Sequence, residues 1–269
     1  MCVLLIAGCC GSKVCAETAA AAARRRKSGT MRFMTRLLLI LTLFAPAAVA
    51  QAEGIYRIKP LRPISELRIE ALQASPPAES GDFRHSDLID LATLDRTLRF
   101  DIKYATADNF LSTPVYTQPR AFLQRPAAEA ALRAHRRLRP LGFGLLVHDA
   151  YRPWFVTKIF WDATPEHQRD YVADPAQGSR HNRGCAIDVT LYDLKTGKPV
   201  EMPSVYDEFT ERAWPNYSGG SAEARRLRDL LRQTMESEGF TVYDKEWWHF
   251  DYRDWRRYRI ENIPFEQLP

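Results

Sequence analysis

The sequence predicts an α+β fold: a single domain in which helices flank a mainly antiparallel central sheet. Segments with the apolar character of strands lie scattered between helical segments, instead of alternating with them in a regular βαβ order. The loops that join these segments are long. The 219 residues that remain of the 269 after position 50 suit one domain with a sizeable core.

The strands are predicted from short apolar segments. Residues 98–104 alternate apolar and charged side chains, which indicates a half-buried strand. Four further segments have strand character, at residues 145–148, 186–191, 240–243 and 247–252. Alternation along residues 186–191 puts Ala186, Asp188 and Thr190 on one face. Asp188 can therefore point into a cleft on the sheet.

Three segments predict helices. Residues 126–138 are rich in alanine, with leucines at helical spacing and a proline suited to the first turn. Residues 154–162 follow a proline and predict a short helix. Residues 222–238 form an amphipathic pattern that Gly239 closes. His135, in the first helix, is expected on its solvated face.

The first 50 residues have the layout of an export leader. A short basic start at residues 31–36 precedes an apolar run at 37–44 that is too short to span a bilayer. Residues 48–50 then give the small-x-small pattern that signal peptidase reads. We expect cleavage after Ala50 and a periplasmic or secreted protein without a stable membrane anchor. A lipoprotein-like motif ending at Cys9 is an alternative, although no positive charge precedes it.

The leader sets the expected domain boundaries. Residues 1–30 are predicted to be an unstructured upstream extension and residues 31–50 the signal peptide. Residues 51–83 are rich in proline, glutamate and arginine and lack a long periodic segment, so they are expected to form an arm that lies on the domain or stays loose. Residues 84–269 are predicted to form the folded domain.

Charge and cysteine content argue against nucleic-acid binding and against a disulfide-stabilised domain. Residues 1–50 hold seven of the 38 basic side chains and one of the 33 acidic ones, so the remainder carries 31 basic and 32 acidic groups. The sequence pI of about 9.0 therefore comes from the leader and does not predict nucleic-acid binding. Only Cys185 lies beyond residue 50, so no internal disulfide is expected there.

Two histidines, an aspartate and a spare glutamate predict a catalytic metal site. Zinc in hydrolases takes three protein ligands and leaves a fourth position for water. His181, Asp188 and His249 can fill the three places, which predicts one Zn²⁺ per chain. Glu246 is predicted to take a proton from the attacking water. Ordinary hydrogen-bonded histidines and a turn-capping aspartate are the alternative.

The spacing of the last segment leads to further expectations. Glu246 and His249 are three residues apart and would lie on opposite faces of a regular strand, so we expect a turn or a bulge between them. The intervening Trp247 and Trp248 are expected to wall the site and keep it dry. His148 is expected to be an ordinary histidine or a residue that supports the ligands.

The combined motifs resemble a known family. The pattern SxHxxGxAxD at residues 179–188, together with ExWH at 246–249, resembles the zinc D-Ala-D-Ala peptidase family. That family includes D,D-carboxypeptidases and VanX-type D-alanyl-D-alanine dipeptidases. Residues 101–110 (DIKYATADNF), 148–153 (HDAYRP) and 206–209 (YDEF) resemble the dipeptidase branch in particular.

The resemblance implies roles for individual residues. Glu246 would be the general base and then the proton donor. Arg152 would stabilise the tetrahedral oxyanion, because a guanidinium stays charged and donates in a planar fork. Asp207 would receive the free ammonium group of the substrate. Tyr104 and Ser179 would line a small substrate pocket.

Each of these roles has a structural alternative. Arg152 could form only a salt bridge to Asp149. Asp207 could cap a helix or a turn. Tyr104 could be a packed core residue, and Ser179 a turn residue.

The resemblance implies zinc-dependent hydrolysis of the D-Ala-D-Ala dipeptide to free D-alanine. Export from the cytoplasm favours cell-wall peptide turnover or scavenging. A zinc D,D-carboxypeptidase acting on peptidoglycan stem peptides is the first alternative, and a non-catalytic, zinc-bearing wall-binding module is the second. A buried carboxylate at Asp207 would favour the dipeptidase, because an acylated amine would leave that charge unpaired.

Overall fold

A computed structural model describes residues 54–269. The predicted leader, including the expected cleavage after Ala50, lies outside these residues. The strands are β1 (Leu88–Asp90), β2 (Arg99–Phe100), β3 (Phe122–Gln124), β4 (Phe143–Asp149), β5 (Ala186–Asp193), β6 (Phe240–Tyr243) and β7 (Glu246–Tyr252). The helices are α1 (Ile64–Gln73), α2 (Arg125–Leu138), α3 (Trp154–Ala163) and α4 (Ala222–Ser237).

A five-stranded sheet in the order β2-β4-β5-β7-β6 forms the centre of the domain. Only the β2–β4 pair is parallel. A two-stranded antiparallel ladder joins β1 and β3. The predicted α+β fold with a mainly antiparallel sheet is therefore confirmed.

Strand register brings the site residues side by side. On β5, Asp188 lies opposite His249 of β7 and opposite Asp149 of β4. Adjacent strands in a ladder lie only ~5 Å apart, so side chains at these positions are direct neighbours. The sheet thus places three polar groups in one row across its central strands.

The long helices follow the sequence pattern. Ser221 caps the N-terminus of helix α4, where its hydroxyl accepts the backbone N–H of Ala224 at 3.0 Å. The helix buries Leu227, Leu231 and Met235. Helix α2 carries a proline in its first turn and buries an alanine face against β4 and α4. Among the described residues, the structure has no helix both long and apolar enough to cross a membrane.

His135 corrects the prediction for α2. The side chain is fully buried rather than solvated. Its Nδ1 accepts the backbone N–H of Leu145 at 3.0 Å, and its Nε2 lies 2.9 Å from the hydroxyl of Thr97. Burial lowers the pKa of His135, which favours the neutral ring that this hydrogen bond requires. His135 therefore links α2 to the central sheet.

The predicted strand at residues 98–104 was wrong over most of its length. Pairing with β4 extends from Arg99 to Asp101, whose N–H donates to Val147. The chain then enters a 3₁₀ turn at Lys103–Ala105, which buries Tyr104. The turn buries Ile102 and Tyr104 and leaves Lys103 less buried, so it accounts for the alternation of apolar and charged side chains without a strand.

The N-terminal arm contains a helix that its composition did not predict. Helix α1 buries Ile64, Leu67 and Ala71 and packs against α3. The two three-residue strands β1 and β3 were also not predicted, because a segment this short shows no periodicity.

Gly184 shapes the loop between the first two predicted metal ligands. His181–Arg183 form one 3₁₀ turn, and Gly184 ends it at φ +63°. A Cβ atom at this position would lie 2.5 Å from Cδ2 of Leu88. The chain can therefore pass from His181 into β5 only with a residue that has no side chain.

We predict that Gly184→Ala destabilises the protein more than Gly142→Ala does. Gly142 has φ +89° but no atom within 4 Å of an added Cβ, so it serves as the matched control. Both variants should lose about 1–2 kcal/mol from the left-handed backbone. Gly184→Ala should lose about 1–3 kcal/mol more, because Leu88 must move. Urea unfolding measures both losses, and equal losses would contradict the crowding argument.

Candidate metal centre and active site

Three acceptor atoms converge on one point. His181 Nε2 lies 3.0 Å from His249 Nδ1, and these atoms lie 3.3 Å and 3.1 Å from Asp188 Oδ1. Ligand atoms ~2.0–2.1 Å from a tetrahedral zinc ion are about 3.3–3.4 Å apart. All three residues are buried. The structure thus brings together the three residues predicted as metal ligands.

Hydrogen bonds fix the orientation of both imidazoles. His181 Nδ1 lies 2.6 Å from the carbonyl of Ala150, and His249 Nε2 lies 2.9 Å from Oδ1 of Asp251. A carbonyl and a carboxylate can only accept, so each histidine donates there and directs a lone pair from its other nitrogen to the shared point. This is the tautomer that a metal ligand needs.

Asp188 supplies the test of whether a cation fits. Among the described residues, its buried Oδ1 atom has no hydrogen-bond partner. A buried carboxylate oxygen that has no partner and faces two nitrogen lone pairs fits a divalent cation. The donor set therefore suits a metal.

Glu246 lies beside this cluster because the β6–β7 ladder is irregular. Val242 pairs with Phe250, whereas the next residue of β6, Tyr243, pairs with Glu246. Residues 247–249 of β7 therefore have no partner on β6 and form a bulge. The expected bulge is confirmed. Glu246 Oε2 lies 3.6 Å from Nδ1 of His249. Burial, assisted by the charge of Asp188, raises the pKa of Glu246 to about 7.

Arg152 forms a buried ion pair and also faces the metal ligands. Its Nε and Nη2 donate to Oδ2 of Asp149 at 3.0 and 2.7 Å. Nη2 also lies 4.0 Å from Oδ2 of Asp188. Tyr116 donates to the other oxygen of Asp149 at 2.7 Å. The salt bridge to Asp149 thus exists and directs the guanidinium toward the cluster.

The predicted substrate residues and the predicted metal ligands line one cavity, which has a volume of about 310 Å³. Tyr104 donates to the carboxylate of Asp207 at 2.9 Å. Asp207 is buried and has φ +58°, a left-handed conformation that is uncommon outside glycine. Ser179 also lines this cavity, and its hydroxyl accepts the backbone N–H of His181 at 3.2 Å.

Burial, with the nearby charge of Asp188, raises the pKa of Asp207 well above its usual range. An ammonium group bound at Asp207 would supply the missing opposite charge. A second cavity of about 260 Å³ shares Asp207 with the first.

The two indoles do not wall the metal ligands as predicted. Trp247 lines the second cavity and donates to Ser204 at 2.9 Å. Trp248 packs edge-on against Tyr206, with ring centroids 5.3 Å apart. Neither indole lines the cavity that holds the predicted ligands.

Sequence reasoning missed two residues that contact the ligands. Asp251 orients His249, and Tyr206 donates to Oδ2 of Asp188 at 2.8 Å. Asp251 could have been found, because residues two apart on a strand share a face. Tyr206 lies on a loop without a strand period; it belongs to the YDEF segment at residues 206–209, but that segment gave no role for it.

Comparisons with known proteins agree with this geometry. A family model described as D-Ala-D-Ala dipeptidase matches residues 84–264. A D-alanyl-D-alanine dipeptidase of Escherichia coli (strain K12) is 37% identical over 62% of this chain and 84% of its own length. Those of Enterococcus faecium and Enterococcus faecalis (strain ATCC 700802 / V583) are 38% and 39% identical over 58% and 57% of this chain and 87% and 85% of their own.

A solved structure of the LD-carboxypeptidase LdcB is 19% identical, with a TM-score of 0.34 over 49% of this chain and 59% of its own. All eight predicted site residues lie within the region that the family model matches. Because that region spans more than half of the sequence, the chain belongs to the D-Ala-D-Ala dipeptidase family, whose members are metal-dependent peptidases.

Proposed function

We propose that this protein hydrolyses the D-Ala-D-Ala dipeptide to free D-alanine, with one zinc ion per chain held by His181, Asp188 and His249. The observation that carries the proposal is the unpartnered Oδ1 of Asp188, which faces two imidazole lone pairs beside a carboxyl group with a pKa of about 7. The names of the relatives support the dipeptide as substrate. Two nitrogen ligands and one oxygen ligand support zinc.

A bound zinc ion supplies a Lewis acid that polarises the peptide carbonyl and makes water a better nucleophile at neutral pH. Glu246 takes a proton from the attacking water and passes it to the amide nitrogen of the leaving D-alanine. Its raised pKa suits both steps, because a general base works best when its pKa lies near the working pH.

Arg152 donates to the oxygen that gains negative charge in the transition state. Asp149 engages Nε and Nη2 of the guanidinium, which leaves the donors of Nη1 out of that ion pair. A fixed guanidinium needs no reorganisation when the charge develops. The ion pair with Asp149 supports the catalytic role of Arg152, because it holds the guanidinium in place beside the metal ligands.

Asp207 and Tyr104 bind the free amine of the substrate. The carboxylate of Asp207 is buried, and Tyr104 holds it in place. A D,D-carboxypeptidase must instead accept an acylated nitrogen at this position, which would leave a buried charge without a partner. Ser179 lines the cavity beside His181 and bounds the space for the small substrate.

The first prediction from this function concerns the substrate's free amine. Purified protein should hydrolyse D-Ala-D-Ala and reject N-acetyl-D-Ala-D-Ala by ~10⁴-fold in kcat/KM, because Asp207 loses its partner in the acetylated peptide. A chelator should abolish hydrolysis, and added zinc should restore it. Release of D-alanine measures each rate.

Two variants test the cause of that discrimination. Asp207→Asn should lower kcat/KM for the free dipeptide and narrow the ratio between the two peptides. Asp229→Asn, at a half-exposed position on α4, should change neither. Equal hydrolysis of both peptides by the wild type would show a carboxypeptidase, and hydrolysis of neither by the zinc-loaded protein would show a binding module.

A second prediction concerns the general base. Glu246→Gln keeps the shape of the side chain but cannot take a proton, so kcat should fall by ~10²–10⁴-fold with zinc still bound. Glu236→Gln, in an exposed ion pair on α4, is the matched control. Steady-state kinetics and metal analysis are the measurements. Near-normal turnover of Glu246→Gln would remove Glu246 from the mechanism.

We also propose that the protein acts outside the cytoplasm, in cell-wall peptide turnover or scavenging. The leader-like layout of residues 31–50 supports this location. Mass spectrometry of the exported protein should find Gln51 at the N-terminus, and another N-terminal residue would contradict the predicted cleavage.

A further inference from the structure

Tyr206 contacts both halves of the active site. Its hydroxyl lies 2.8 Å from Oδ2 of Asp188 and 3.2 Å from the hydroxyl of Tyr104. Tyr104 in turn donates to Asp207. Tyr206 therefore stands between the predicted metal ligand and the predicted anchor of the substrate amine.

The direction of the contact with Asp188 follows from its acceptor. The carboxylate oxygens of Asp188 can only accept, so the hydroxyl of Tyr206 donates to Oδ2 at 2.8 Å. The hydroxyl of Tyr104 lies farther from Tyr206, at 3.2 Å, and its own proton goes to Asp207 at 2.9 Å. The shortest hydrogen bond of Tyr206 is therefore the one to the predicted metal ligand.

The hydrogen bond separates the two oxygens of Asp188 by role. Oδ2 accepts from Tyr206, whereas Oδ1 faces His181 and His249 without a donor. Arg152 Nη2 lies 4.0 Å from Oδ2, close enough to compete for the carboxylate. With Oδ2 occupied, Asp188 keeps Oδ1 directed at the histidines and does not rotate toward the guanidinium.

Aromatic packing holds the phenol in this position. The ring of His148 lies 4.8 Å from that of Tyr206, and Trp248 packs edge-on at 5.3 Å from another direction. Neither neighbour is a predicted ligand. Their packing restricts rotation of the Tyr206 ring, so the hydroxyl is oriented before a cation arrives.

We propose that Tyr206 is a positioning residue of the metal centre: its hydroxyl holds Oδ2 of Asp188 so that Oδ1 is presented to the zinc ion. The inference rests on the metal site of the proposed function. It assigns to His148 and Trp248 the task of supporting Tyr206. Residues that orient metal ligands typically contribute 10–100-fold to metal affinity.

The decisive experiment measures zinc affinity without any substrate. Tyr206→Phe removes the hydroxyl and keeps the ring. The apparent Kd for Zn²⁺, from competition with a chromophoric chelator, should rise by ~10–100-fold. Tyr192→Phe is the matched control, because Tyr192 is a buried tyrosine on the same strand as Asp188 and its hydroxyl donates to the carbonyl of Thr97 at 2.6 Å. Its zinc affinity should equal that of the wild type.

One further measurement and one further variant keep the outcome interpretable. Thermal unfolding of the metal-free proteins shows whether Tyr206→Phe folds. His148→Leu leaves the hydroxyl and removes the supporting ring, so it should weaken zinc binding less, in the same direction. Wild-type zinc affinity in a folded Tyr206→Phe would overturn the inference, whatever the affinity of His148→Leu.

The zinc affinity of Asp188→Asn separates an error in the role of Tyr206 from an error in the metal site itself. Asp188→Asn should weaken zinc binding whatever Tyr206 does. If Asp188→Asn binds zinc normally, the metal site itself is wrong. If only Tyr206→Phe binds normally, the metal site stands and the positioning role is wrong.

Discussion

The active site depends on one constraint, the burial of a row of polar and charged side chains across three strands. The ladder of β4, β5 and β7 fixes Asp149, Asp188 and His249 as neighbours, and all three are buried. A buried charge destabilises a fold unless it is paired or hydrogen-bonded. Asp149 is paired by Arg152, and His249 by Asp251. The unpartnered oxygen of Asp188 is the exception, and a cation at that point completes the pairing of the row.

The same row explains how one short stretch of sheet supports several roles. Asp149 orients the guanidinium of Arg152, and Asp251 orients the ring of His249. Asp149 and Asp251 thus position other side chains and do not themselves belong to the predicted ligand set. Because strands are rigid, each of these groups is oriented before substrate binds, which is the condition for electrostatic stabilisation without reorganisation.

The sequence predicted the parts of the fold that have a strong local period. Helix α4 and strand β5 were predicted to within one or two residues, since each shows a clear apolar pattern. Strand β2 was not, because the 3₁₀ turn that follows it buries the same side chains that a strand would. His135 was placed wrongly, because a polar residue among arginines gives no local sign that a backbone N–H from β4 will meet it. Only tertiary contacts decide such positions.

Chemistry and specificity come from different parts of the structure. Two of the three predicted ligands and Glu246 lie on β5 and β7, whereas Asp207 lies on a loop outside the sheet. Asp207 adopts a left-handed backbone, a conformation that persists in a non-glycine residue only when its surroundings hold it. Tyr104 supplies such a contact from the 3₁₀ turn after β2. In the proposed function, peptide hydrolysis uses the sheet residues, His181 and Arg152, so the restriction to a free amine would depend on this one loop carboxylate. A change confined to that loop could therefore alter the choice of substrate while leaving the metal centre intact.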